Sequence, residues 1–188
     1  QTANASGVEN AKFIIADGNR ALPFNPGYFS MTFSRLVFVH LAEPMLMLKE
    51  MIRLTQPGGT VLSIEPDISE YYSSHKNLNK CFQARCKYAY EINSGSINIA
   101  KEIEQLFKLA DLINIKTHNH EIYADSSNIN RLKALQLNML LMVETVKNEI
   151  INNGLVTEEE YDLATKEAKE ISEDTILKQR LRITWGFK

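Results

Sequence analysis

"EPMLMLKEMIRLTQPGGTVLSIEP", residues 43–66, decides the fold class. Pro44 suits a first helical turn, where its missing N–H is not needed. Met45, Leu48, Met51 and Ile52 fall at helical spacing on one face, and Lys49 and Arg53 fall on the other. Pro57 cannot continue the helix, and Gly58 and Gly59 supply a turn. "TVLSIEP" (60–66) then reads as a buried strand, and "YFSMTFSRLVFV" (28–39) as an earlier strand that passes into a turn near Ser34. Strand, helix and strand joined by short turns mark a parallel α/β unit.

Working outward, "AKFIIAD" (11–17) reads as another buried strand, ending on Asp17 beside Gly18. An apolar clamp, Leu22-Pro23-Phe24, follows at once. Asp17 by itself fits a turn-former that caps its own loop. Residues 1–10 read as the polar end of a helix and a turn. Residues 68–94 carry two aromatic-bearing helical pieces, around "EYYSS" and "LNKCFQARCKYAYEI", and 66–94 is expected to form a lid over an apolar or aromatic ligand. "SGSINIAKEIEQLFKLADL" (94–112) is a helix with Ile99, Ile103, Leu106, Phe107 and Ala110 on its apolar face. "INIKTHNHEIY" (113–123) alternates as an edge strand does, and 177–187 closes as a strand. Between these two, 128–152 and 157–172 read as helices, the second with Thr157 as N-cap. A hairpin needs only a short loop. The stretch 126–176 is therefore expected to cap a substrate mouth or to make a homodimer contact.

The bulk numbers describe one ordinary domain of 188 residues. There are 21 basic and 23 acidic residues, for a net charge of −2. That balance carries no footprint for nucleic acid or an anionic membrane. No apolar run is long enough to span a bilayer. Cys81 and Cys86 are five apart and do not share a helical face, so two reduced thiols in a cytoplasmic setting are expected. His118 and His120 share a strand face, but no third ligand is evident and no metal is expected.

"ADGNRALPF", then "YFSMTFSRLVFVHLAEP", then "LKEMIRLTQPGGTVLSIEPD" together resemble the class I methyltransferases that use S-adenosylmethionine, most closely their small-molecule branch. "AKEIEQLFKLADLINIK" and "ITWGFK" are similar to that family's last helix and closing hairpin. The resemblance implies an α/β, Rossmann-like sheet with a helical insertion between the last two strands. It implies S-adenosylmethionine as cofactor and a small-molecule acceptor. It assigns Asp17 and the backbone of Gly18 to adenine, Leu22 and Phe24 to the adenine wall, and Ser34 and Arg35 to the methionine end. His40 is a candidate base, or a histidine that orders the turn against the following helix. Glu65 and Asp67 form an acidic lip at the strand end, either acceptor contacts or loop carboxylates in solvent, and Tyr71 and Tyr72 are further candidate acceptor contacts. Glu50 and Arg53 are largely structural in that family. A non-catalytic binding or assembly subunit on the same fold is the alternative.

The sequence also departs from the family. None of its eight glycines forms the Gly-x-Gly of the family's cofactor loop, and the acid that grips the ribose is absent. Ser30 stands where relatives commonly have Asp. The resemblance places the family's central first strand between 11–17 and 28–39. Without it, both strands are expected to keep exposed hydrophobic edges. A longer gene product, a partner chain or a repacked sheet would each answer that, and this chain alone is expected to bind cofactor weakly.

Overall fold

The computed structural model describes residues 10–18, 20–92 and 95–188. Strand β1 (Phe29–Arg35) leads through a 3-10 turn (Phe38–His40) into helix α1 (Pro44–Leu54) and strand β2 (Thr55–Pro66). The short strand β3 (Tyr72–Ser73), helix α2 (Lys76–Cys86) and a π-helical turn (Lys87–Ile92) follow. Helix α3 (Ile99–Leu109) precedes strand β4 (Ile113–Ala124). Helices α4 (Ile129–Glu144), α5 (Lys147–Asn152) and α6 (Glu158–Glu167) separate β4 from the last strand, β5 (Leu177–Phe187).

β1 and β2 pair in parallel, with Ser34 opposite Ser63. β5 inserts antiparallel between β2 and β4, placing Thr184 opposite both Ser63 and Thr117. β3 continues along β5 beyond the end of β2. Gly58 takes a positive φ of 74° inside β2, where the pairing with β1 shifts register between Phe29 and Met31. A Cβ on Gly59 would lie 2.6 Å from the Ser30 carbonyl oxygen, so β1 approaches too closely for any side chain there.

Alternation along β2 sends Val61, Ser63 and Glu65 to one face, which is buried, and Thr60, Leu62 and Ile64 to the other, which is half-buried. α1 and α3 contribute Leu48, Met51, Leu54, Ile99, Ile103 and Phe107 to the core. Each such apolar side chain contributes about 1.5–3 kcal/mol on leaving water. α2 and α4–α6 extend that core through Leu78, Phe82, Leu132, Met139, Val143, Ile150 and Tyr161. Thr157 and Glu160 form a reciprocal capping box at the start of α6, as the Thr157 cap foreshadows.

Three expectations are corrected. Residues 11–17 form no strand, and Phe13, Ile14 and Ile15 lie exposed. A lone strand beside no neighbour has nowhere to place its backbone hydrogen bonds. The "EYYSS" segment is a 3-10 turn and a strand rather than a helical piece, because Tyr72 and Ser73 pair with β5. The helix over 128–152 breaks after Glu144, where Thr145 and Val146 turn into α5. The reading of residues 1–9 lies outside the described residues. Among the described strands β1 pairs only with β2, and its Met31 and Phe33 are exposed, as expected for an edge with no neighbour.

Candidate active site at the carboxyl end of the sheet

In an open α/β sheet the ligand crevice lies beyond the carboxyl ends of the parallel strands. Here a cavity of about 280 Å³ occupies that place. Its floor comes from Arg35 and Leu36 after β1, and from Pro66 and Ile68 after β2. Gln179 and Leu181 of β5 and Ile122 of β4 form one wall. Phe82 and Arg85 of α2, Tyr71, and Tyr90 of the π-helical turn form another. Asn138 and Met142 of α4, in the stretch between β4 and β5, also line it. Leu36 holds a positive φ of 58°, a conformation that costs a non-glycine residue about 1–2 kcal/mol. Such backbone persists only where its surroundings impose it, and it turns the chain at the cavity floor.

His40 lines the cavity and meets Tyr90 edge-to-face, with ring centroids 5.1 Å apart. Partial burial, then the nearby Arg85 cation, holds its pKa below the usual histidine value of 6.5. Its imidazole is therefore neutral at physiological pH and open to a proton. The folded state resists charging it. This contribution to stability is whole above pH 6.5 and is lost as pH falls toward the depressed folded value. A His40 titration followed by NMR should give a pKa below 6.5, and Arg85→Met should raise it. An unchanged value in that variant would remove Arg85 as a cause.

Tyr71 stacks on Phe82, with centroids 5.5 Å apart and planes 12° from parallel. Burial pushes its phenol pKa up, so it is a neutral donor. Tyr72 is half-exposed and is not among the residues that line the cavity. Glu65 is not in the cavity. It is 1% exposed and accepts the backbone N–H groups of Val37, Phe38 and Val39 at 3.1, 3.1 and 3.3 Å. It thereby anchors the 3-10 turn that presents His40. Asp67 is also buried, accepts Ser69 Oγ at 2.8 Å, and lies 3.8 Å from Arg182 and 3.9 Å from Lys101.

The expected cofactor residues lie along the β1 side. Ser34 sends a buried hydroxyl to the face opposite Arg35, and that hydroxyl has no hydrogen-bond partner. Leu22 and Phe24 line a shallow apolar groove with Met31, Phe33 and Met47. A Cβ on Gly18 would collide with the Met47 sulfur at 2.4 Å. Glu50 and Arg53 hold this loop in place. Leu22 N donates to Glu50 Oε1 at 2.7 Å, and Arg53 donates to the Phe24 and Leu22 carbonyls at 3.0 and 3.2 Å. Hydrogen bonding from Arg53 lowers the Glu50 pKa. Asp17 is half-exposed and sits 3.3 Å from Arg20. Among the described residues no group of histidine, cysteine or acidic side chains could hold a metal. No described helix is long and apolar enough to cross a membrane.

The residue that sequence reading missed is Arg85. Leu78, Cys81, Phe82 and Arg85 share one helical face, so a cation on an apolar stripe was the available signal. Asn138, Met142 and Gln179 come from distant elements and leave no local mark.

A family model described as a methyltransferase domain matches residues 1–179. No curated protein matches the chain. Among solved structures, it is similar to an inferred methyltransferase of Bacillus halodurans, at 13% identity and a TM-score of 0.54, covering 100% of this chain and 75% of that one. The YcgJ protein of Bacillus subtilis gives 14% identity and a TM-score of 0.53, with coverage of 100% and 75%. A phosphoethanolamine N-methyltransferase of Haemonchus contortus, solved with phosphomonomethylethanolamine and S-adenosylhomocysteine, gives 19% identity and a TM-score of 0.49. The chain spans 36% of that enzyme's length, with 93% of its own residues covered. The sheet order, the carboxyl-end cavity and the family match agree: this chain belongs to the methyltransferase domain family.

Proposed function

We propose that this chain transfers a methyl group from S-adenosylmethionine to a small molecule held in the carboxyl-end cavity. The observation that carries the reading is the cavity itself, walled by aromatic and apolar side chains with a few convergent polar groups. S-adenosylmethionine supplies an electrophilic methyl when bound. The residues present fit one side of it. Asp17 keeps a half-exposed carboxylate for an adenine amine, and the adjacent Gly18 packs on Met47 of the groove that Leu22 and Phe24 also line. Arg35 and Leu36 line the cavity after β1, which supports this end of it as the place for the cofactor's methionine end.

The chain's own contribution is positioning and desolvation, which carry most of the rate in an in-line displacement. Phe82, Tyr71 and Met142 exclude water from the acceptor. Neutral His40 takes the proton that an acceptor hydroxyl or amine releases, so the balance closes on an imidazolium. Tyr71 and Tyr90 orient the acceptor by donating hydrogen bonds. Two buried free thiols suit a cytoplasmic setting.

A non-catalytic binding or assembly subunit on the same fold is the second reading. A methyl-labelled cofactor, supplied with a filtered low-molecular-weight extract and with protein and RNA from the same cells, separates these readings. Label should pass to the low-molecular-weight fraction. Label in protein or RNA would contradict the small-molecule reading, and label that never leaves the cofactor would support the second.

A further inference from the structure

We infer that the acceptor carries an oxyanion, a carboxylate or a phosphate, seated on Arg85 and Arg35 with its apolar or aromatic body against Phe82 and Tyr71. This deepens the proposed function, since it rests on this cavity being the acceptor pocket. The cavity holds two guanidinium groups and no carboxylate among its described lining residues. His40 is neutral there, and both tyrosines keep their protons, so the two guanidinium groups are the charges that the described lining residues carry.

Arg85 is the more telling of the two. Its Nε is buried without a hydrogen-bond partner. Nη1 donates to the Tyr90 hydroxyl at 2.5 Å, and the guanidinium lies 4.8 Å from the centre of the Tyr90 ring. Its other close group is the Cys86 thiol, whose pKa burial pushes up to about 11, so it bears no charge. Among the described residues, neither Arg85 nor Arg35 forms an ion pair. A guanidinium taken partly out of water without an anion is costly, and an arginine fork matches a carboxylate or phosphate with two parallel hydrogen bonds. The ligand therefore supplies the charge that the protein omits. Ile68, Ile122 and Leu181 leave the remainder of the cavity to a compact apolar body.

Calorimetry on the full chain without cofactor tests this with benzoate, phenyl phosphate, benzamide and benzylamine. One or both anions should bind at least ~10-fold tighter than benzamide, with benzylamine weakest, as expected for a charge-assisted pair. Whichever anion is tighter identifies the oxyanion. Arg85→Met should abolish the preference and Arg85→Lys should retain part of it, with circular dichroism confirming the fold of both. Independently of any variant, saturating benzoate should raise the His40 pKa in the parent protein. Equal affinity for benzoate, phenyl phosphate and benzamide, a preference for benzylamine, an unmoved His40 pKa or a preference that survives in folded Arg85→Met would each overturn the proposal. The binding arms need no turnover, so they fail separately from the methyl-transfer reading.

Discussion

Replacing Glu65 by alanine is expected to cost about 3–4 kcal/mol of folding stability. The carboxylate is 1% exposed and is the acceptor for three consecutive backbone N–H groups at residues 37–39. Removing it orphans those donors in the interior, where Phe38 and Val39 are fully packed. Urea denaturation measures the loss, and a cost under about 1 kcal/mol would contradict the anchoring role. The same turn presents His40, so the His40–Tyr90 ring contact should loosen as well. Burial raises the Glu65 pKa, and the three N–H groups oppose that rise. The folded state thus holds a proton that the unfolded chain releases above about pH 4.5. The sign follows: this contribution is whole below that value and declines as pH rises through the folded pKa. Glu65→Gln should remove that slope while still costing stability, because its amide N–H₂ cannot accept from Val39.

Phe82→Ala is expected to cost about 3–5 kcal/mol, the range for deleting a buried aromatic side chain. Phe82 is fully buried on α2, stacks on Tyr71 and forms a cavity wall. The substitution joins its own void to the cavity and frees Tyr71 to move. Thermal and urea unfolding should both shift, and benzoate affinity should fall with them. A variant as stable as the parent would mean that α2 packs without this ring, against the core described above.

The parallel strand–helix–strand unit was legible because β1, α1 and β2 are consecutive and each carries its own period and punctuation. The Thr157 cap is local chemistry and reads directly, whereas Pro57-Gly58-Gly59 forms an irregularity within β2 rather than a separate turn before it. Residues 11–17 misled for a physical reason. Their apolar run has strand composition, but a strand exists only against a neighbour, and β1 is not hydrogen-bonded to them. Glu65 read as a lip of the ligand site, since a strand-end carboxylate looks alike whether it faces solvent or a row of N–H groups. His40 and Tyr71 were legible from their place after parallel strands. Arg85 was not, because its meaning depends on which charges the fold brings near, and among the described residues it forms no ion pair. Asn138 and Met142 reach the cavity only through the docking of the insertion on α2.

The same face of the sheet that holds the cavity is bare toward its other end. Met31, Phe33 and Ile113 are exposed there, beside the half-buried Leu62 and Trp185. A bare apolar face next to an unpaired strand edge lies beside the residues assigned to adenine. That links the cofactor question to the groove formed by Leu22, Phe24, Met31 and Phe33.

The central claim is that Asp17 reads the adenine of a cofactor whose methyl end meets the acceptor at Arg35 and His40. Titration calorimetry with S-adenosylhomocysteine tests it most directly, on this chain, on the chain joined behind a family strand, glycine-rich loop and helix, and on the joined chain with Asp17→Ala. The account predicts weak binding to the first and clear one-to-one binding to the second. It predicts roughly 5–150-fold weaker binding to the third, equivalent to about 1–3 kcal/mol for a lost buried hydrogen bond. Equal affinity in the second and third proteins would contradict it.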